Sequence, residues 1–96
     1  MRLAFTPNAQ TDLMAIGEYI ARDNPERAVS FVDELFARCQ RISEHPTAFR
    51  QREELGGAVR CAPHGNYQIV FEADEDNVLI LRIVHGRMNL PQLLGE

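Results

Sequence analysis

The segment spanning residues 78–85, VLILRIVH, is apolar on both of its faces. Side chains of a β-strand point alternately to the two sides of a sheet, so Leu79 and Ile83 share one side while Ile80 and Val84 share the other. Helical patterns occur only in the first half of the chain and supply enough surface to cover one sheet face. We therefore expect the second face to be uncovered in the isolated chain and to bind a partner.

The length of 96 residues predicts a single domain, residues 1–96, with enough chain for one core without metal or disulfide crosslinks. A net charge of -4 argues mildly against a general nucleic-acid binder. Cys39 and Cys61 fall in apolar patterns, and no zinc-type spacing of Cys and His occurs, so we expect no metal and no cofactor. The N-terminus lacks a signal-peptide pattern and no run is long enough to span a membrane, which favours a cytoplasmic protein.

Two helices are predicted between Thr6 and Pro46. Thr6 followed by Pro7 is a typical helix start, and apolar residues follow at spacings of three and four. Asn24 and Pro25 repeat this start signal, and a second apolar stripe continues until Pro46 disfavours helical geometry in the residue before it. The short turn between the helices predicts an antiparallel hairpin.

Strand patterns precede and follow the hairpin. They cover Arg2 to Phe5 and residues 58–62, 66–72 and 78–85, and the last three are joined by connections of hairpin length. The predicted order is β-α-α-β-β-β. This is an α+β domain whose helical hairpin packs on one face of a small, mainly antiparallel sheet.

Strict alternation assigns the two sheet faces. The side predicted to lie under the helices carries Val59, Cys61, Tyr67, Ile69, Phe71, Leu79, Leu81 and Ile83. The opposite side carries Arg60, Ala62, Gln68, Val70, Glu72, Val78, Ile80, Arg82 and Val84. The second set is half apolar and contains two arginines, which is typical of a docking groove. A simpler interpretation is that the arginines pair with Glu72 on the same face.

The ordered set of motifs resembles the ParE-type toxins of the RelE/ParE superfamily. The segments that resemble the family's helical hairpin are Asp12-Leu13 with Ile16, Tyr19-Ile20-Ala21, Asn24-Pro25, and Phe31-Val32 with Leu35 and Cys39. The segments that resemble its sheet and tail are Val59-Arg60, Gly65-Asn66-Tyr67, Ile80 with Arg82-Ile83, and His85-Gly86-Arg87-Met88-Asn89-Leu90. The likeness spans essentially the whole chain.

The resemblance implies a toxin of a type II toxin–antitoxin system. ParE-type members bind and poison DNA gyrase, whereas RelE-type members cut mRNA on the ribosome, and an antitoxin wraps and neutralises either kind. We expect a cognate antitoxin in a complex of two toxins and two antitoxins, gyrase as the target, and neither a membrane nor a specific nucleic-acid sequence as a direct partner. The predicted binding residues are Arg60, Ala62, Gln68, Val70, Val78, Ile80, Arg82, Val84, His85, Arg87 and Met88.

A metal-independent ribonuclease is the alternative. It would need cations and a proton shuttle, which Arg60, Arg82, Arg87 and either His64 or His85 would supply. Gln68 stands where RelE-type relatives often carry arginine, and the tail after Arg87 has no Tyr, Lys or His. The set looks incomplete, so we predict no catalytic residues. A third possibility is a non-toxic interaction domain of the same fold.

Overall fold

The computed structural model describes residues 2–86 of the chain. The elements follow the order β1 (Arg2–Phe5), α1 (Pro7–Ala21), α2 (Pro25–Glu44), β2 (Val59–His64), β3 (Tyr67–Ala73) and β4 (Asn77–His85). Two single-turn 3₁₀ helices, Pro46–Ala48 and Glu53–Leu55, lie between α2 and β2. The predicted β-α-α-β-β-β order and the α+β class are confirmed.

The four strands form one mixed sheet in the order β1-β4-β3-β2. The three C-terminal strands are antiparallel neighbours, whereas β1 pairs with β4 in parallel. The helical hairpin supplies the crossover that a parallel pairing of β1 and β4 requires. No helix within residues 2–86 is long and apolar enough to cross a membrane.

The helix starts are made by the side chains that the sequence indicated. The Thr6 hydroxyl accepts a hydrogen bond from the Ala9 amide at 3.0 Å, and the Asn24 side chain accepts one from the Arg27 amide at 3.0 Å. Each satisfies one of the amides that a helix leaves unpaired in its first turn. The second helix ends at Glu44, just before the turn that begins with Pro46.

The main core lies between the helical hairpin and one face of the sheet. Its buried members from the helices include Leu13, Ile16, Phe31, Leu35, Cys39 and Ile42. Its buried members from the sheet are Ala62, Ile69, Phe71, Val78, Ile80 and Ile83. A second, smaller cluster on the other face contains Leu55, Val59, Val70 and Val84, with Cys61 and Leu81 packed against it.

A β-bulge in β4 makes part of the predicted face assignment wrong. Ile83 lies opposite Ile69 and Ile80 lies opposite Phe71, so β4 contains one residue more than β3 over this stretch. The extra residue reverses the alternation. Val78 and Ile80, predicted for the open face, are therefore fully buried under the helices, while Leu81 packs on the opposite side.

The predicted assignment of β2 is inverted. Ala62 pairs with Ile69 and belongs to the main core, whereas Cys61 pairs with Val70 and packs with the second cluster. Val59 also belongs to that second cluster. Because both sides of this strand contact apolar residues, its alternation alone does not show which side faces the helices.

Candidate functional site

Three of the predicted binding residues lie on the sheet face opposite the helices. Gln68 pairs with Val84 in the β3–β4 register, and Val70 lies two residues further along β3. Val70 is fully buried and Val84 is nearly so, within the cluster that Leu55 completes from the second 3₁₀ turn. The expectation of an exposed apolar sheet face is therefore wrong at Val70 and Val84.

Arg82 is held inside the domain. Its Nε and Nη2 atoms donate to the two carboxylate oxygens of Asp12 on α1, at 2.8 and 3.0 Å. The Ile83 amide donates to the same carboxylate at 2.9 Å. Asp12 therefore accepts hydrogen bonds where β4 extends beyond the paired part of β1, and its carboxylate raises the pKa of Arg82. The predicted pairing of Arg82 with Glu72 is wrong.

Thr6 binds the same edge of β4, at the two residues that precede Arg82. Its amide donates to the Ile80 carbonyl at 3.0 Å, and its hydroxyl donates to the Leu81 carbonyl at 2.7 Å. Parallel pairing between β1 and β4 ends at Phe5 and Ile80. The start of α1 thus provides hydrogen-bond partners that a longer β1 would otherwise supply.

Arg60 also has an internal partner. Its guanidinium donates to the Phe49 carbonyl, and the ring of Phe49 packs edge-on against Phe71 in the main core. Arg60 pairs with Phe71 in the β2–β3 register, so it lies on the helix side of the sheet rather than on the open face. Its predicted pairing with Glu72 is wrong too.

The remaining predicted residues lie at and beyond the end of β4. His85 is exposed, and its ring lies 5.8 Å from that of Tyr67. Arg87 and Met88 lie outside the described residues. Sequence reasoning placed these three residues together with the sheet face, but the structure describes only His85 of the set.

Among residues 2–86, the large apolar side chains that are exposed lie on the helices instead. Met14, Val29 and Phe36 are 68%, 65% and 43% exposed. They line a groove between the outer sides of α1 and α2, which we call the helical groove. Its lining residues are Gln10, Leu13, Met14, Gly17, Glu18, Ala28, Val29, Val32, Asp33 and Phe36.

Sequence reasoning missed the helical groove, although a signal was present. Val29, Val32 and Phe36 recur at spacings of three and four, which places them on one side of α2, beside the stripe that forms the core. Gly17 forms part of the groove floor, where an added Cβ would lie 3.5 Å from Val32 Cγ2. This distance is an ordinary van der Waals contact, so a methyl group would fit there without displacing the helices and would take up part of the groove.

Two kinds of reactive site, a metal centre and an activated cysteine, were considered for residues 2–86. No cluster of three or more His, Cys, Asp or Glu side chains within residues 2–86 could hold a metal ion. Burial raises the pKa of the Cys39 thiol to about 12 and raises that of Cys61 as well, so neither is activated as a nucleophile. The apolar lining of the helical groove is the feature suited to contact with another protein.

Comparisons with known proteins agree on the kind of protein this is. A family model described as the ParE toxin of the type II toxin–antitoxin system parDE matches residues 3–90. Toxin ParE3 of Caulobacter vibrioides is 36% identical over 56 residues, which cover 58% of this chain and 56% of that toxin. The match thus spans little more than half of that relative's length.

Solved structures share the fold. A chain of the chromosomal ParDE system from P. aeruginosa superposes with a TM-score of 0.75 at 24% identity, covering 88% of this chain and 95% of the other. A chain of the RelBE2 toxin–antitoxin complex from Mycobacterium tuberculosis gives a TM-score of 0.55 at 24% identity with the same coverage. At this identity, the superpositions establish a common fold.

Proposed function

The chain belongs to the family of ParE toxins of type II toxin–antitoxin systems, and from this premise we propose that it inhibits DNA gyrase by binding and is neutralised by a cognate antitoxin. In this proposal the toxin has no chemistry of its own. It acts by occupying a surface of gyrase, and the antitoxin prevents that by covering the toxin.

The engagement of Arg82 by Asp12 is the observation that supports a binding poison over a ribonuclease. Cleavage of RNA without a metal needs cations that face the phosphate as charge develops on it. Arg82 donates to the Asp12 carboxylate through Nε and Nη2, and Arg60 donates to the Phe49 carbonyl. Asp12 thus compensates the charge of Arg82, and these contacts leave each arginine with fewer donors for a phosphate.

The helical groove is the surface we assign to the antitoxin. It presents exposed Met14, Val29 and Phe36, and the acidic side chains Glu18 and Asp33 stand at its sides. An amphipathic helix with an apolar stripe and basic flanking residues complements this surface. The groove residues cover positions 10–18 of α1 and 28–36 of α2, a length of roughly 12 Å at 1.5 Å per residue. Two to three turns of helix would fill it.

The target is tested with purified toxin, gyrase and supercoiled plasmid. We expect cleaved DNA to accumulate or supercoiling to fail in the presence of the toxin, and the co-purified antitoxin to prevent this. A parallel reaction with translating ribosomes measures mRNA cleavage. Cut mRNA with unaffected gyrase would favour the ribonuclease, and no effect in either assay together with harmless expression would favour a non-toxic interaction domain.

The antitoxin surface is tested with Val29→Asp and a matched control, Ala37→Asp. Both positions are exposed on α2, but only Val29 lines the groove. We expect Val29→Asp to weaken antitoxin binding at least tenfold, since a charge would be desolvated against apolar side chains. Ala37→Asp should bind the antitoxin normally. Equal binding by both variants would remove the groove from the proposal.

Light scattering on the unmodified toxin–antitoxin pair tests the stoichiometry and should give two toxins and two antitoxins.

A further inference from the structure

A run of aromatic rings crosses the end of the sheet at which β3 begins and β4 ends. The ring of Phe31 on α2 lies 5.6 Å from that of His64 and 5.7 Å from that of Tyr67, which in turn lies 5.8 Å from that of His85. The register places Tyr67 directly opposite His85. The Gly86 amide also donates to the Asn66 carbonyl at 2.8 Å, so the backbone around these rings is fixed.

One end of this run is already covered by an arginine of the chain itself. The guanidinium carbon of Arg27 lies 5.1 Å from the centroid of the Phe31 ring, and Glu34 holds the guanidinium in place at 2.7 Å. Arg38 makes the same kind of contact, 5.3 Å from the centroid of Phe49. Two contacts of an arginine with an aromatic face therefore occur among residues 2–86.

The other end of the run borders a small notch. It is lined by Tyr19 from α1, Asn66 from the β2–β3 turn, Tyr67 and His85. Tyr19 is 66% exposed, whereas Tyr67 is half-buried, and the pKa of Tyr67 is raised by burial and then by the nearby Tyr19. Within residues 2–86, the two arginine–ring contacts use Phe31 and Phe49, neither of which lines this notch.

We propose that this aromatic notch receives an arginine side chain of a protein partner. Tyrosine faces attract a cation, and a planar guanidinium can stack on one ring while donating to the tyrosine oxygens. The net charge of -4 favours the approach of a cationic ligand over that of a nucleic acid. A lysine would retain the charge but not the planar stacking. The proposal goes beyond gyrase inhibition, because it concerns a specific contact and does not depend on the identity of the target.

The test is an NMR titration of the full chain with N-acetyl-arginine amide, following the ring protons of Tyr19, Tyr67 and His85. N-acetyl-lysine amide and adenosine monophosphate serve as competing probes. We expect saturable shifts with the arginine probe at millimolar concentration and weaker binding of the lysine probe. Tyr19→Ala should weaken arginine binding about two- to fivefold, the effect typical of one exposed cation–π contact.

Two controls separate the notch from general surface effects. Tyr19→Phe retains the ring but loses the hydroxyl acceptor, so it should bind the probe more tightly than Tyr19→Ala and less tightly than the unmodified chain. Met14→Ala removes an equally exposed side chain that lines the helical groove instead. Tighter binding of adenosine monophosphate than of arginine, or an equal loss in Met14→Ala and Tyr19→Ala, would overturn the proposal. Binding that appears only in Arg87→Gln would also overturn it, since the chain's own arginine would then fill the notch.

Discussion

Replacing Asp12 with alanine should destabilise the domain by roughly 3 kcal/mol. The substitution removes the carboxylate that accepts two hydrogen bonds from Arg82 and one from the Ile83 amide. Arg82 would keep its charge in a site where its side chain is 21% exposed, and Asp12 itself is 13% exposed. The variant thus leaves a cation and a backbone amide without their acceptor.

The magnitude follows from two contributions. Breaking a fully buried ion pair from one side costs about 3–5 kcal/mol, and we take about 2 kcal/mol here because both side chains retain some contact with water. Leaving the Ile83 amide without its acceptor adds about 1 kcal/mol. For a domain of this size, roughly 4–8 °C of Tm accompanies each kcal/mol. The melting temperature should therefore fall by roughly 12–24 °C.

The loss of unfolding free energy is measured by urea denaturation monitored by circular dichroism. Glu34→Ala is the matched control. Glu34 also accepts from an arginine, Arg27, at 2.7 Å, but these side chains are 47% and 46% exposed. Exposed ion pairs contribute little to stability, so the control should lose much less stability than Asp12→Ala. A double-mutant cycle with Arg82→Ala isolates the pairwise part. If Asp12→Ala and Glu34→Ala cost the same, the stabilising role assigned to this ion pair is refuted.

Three further predictions concern other parts of the molecule. Gly17→Ala should stabilise α1 by up to about 1 kcal/mol in thermal unfolding, yet weaken antitoxin binding in a titration, because the new methyl group would lie on the floor of the helical groove. Cys39, whose pKa is about 12, should resist iodoacetamide at pH 8 in the folded protein and react once urea unfolds it, as mass spectrometry would report. Asp74 accepts from the Asp76 and Asn77 amides, which lowers its pKa below the usual 3.8. The contribution of Asp74 to the free energy of unfolding is thus complete above pH 3.8 and is lost as the pH falls through the lowered pKa. The free energy of unfolding in urea should therefore depend less on pH in Asp74→Asn between pH 5 and pH 2.

The candidate site was only partly predictable. The sequence indicated a protein partner and an apolar surface, but it placed that surface on the sheet. In the described part of the chain, the exposed large apolar side chains, such as Met14 and Val29, lie on the helices. Arg82 shows why the sequence pattern was misleading. Arg82 lies in a run of apolar residues and invites a binding role, but its partner, Asp12, is 70 positions away in the chain. No local pattern reports such a contact.

Local signals in the chain were enough to predict the two helices, their starts and the order of the strands. Thr6 and Asn24 cap the helices through bonds to amides only three residues away, and Pro46 follows directly on the end of the second helix. These signals are local, because each depends on atoms within one turn of chain. The apolar stripes of the two helices likewise follow from a fixed helical period, so their core-facing sides were predictable.

The side that each strand presents to the helices depends on contacts between distant parts of the chain. In β4 the bulge between Ile80 and Ile83 reverses the alternation, and in β2 the pairing of Ala62 with Ile69 sets the phase. A shift of one residue moves every side chain of a strand to the other face. Because both faces of this sheet bury apolar residues, either phase fits the sequence pattern. The strand pairing and the contacts with the helices select one of them.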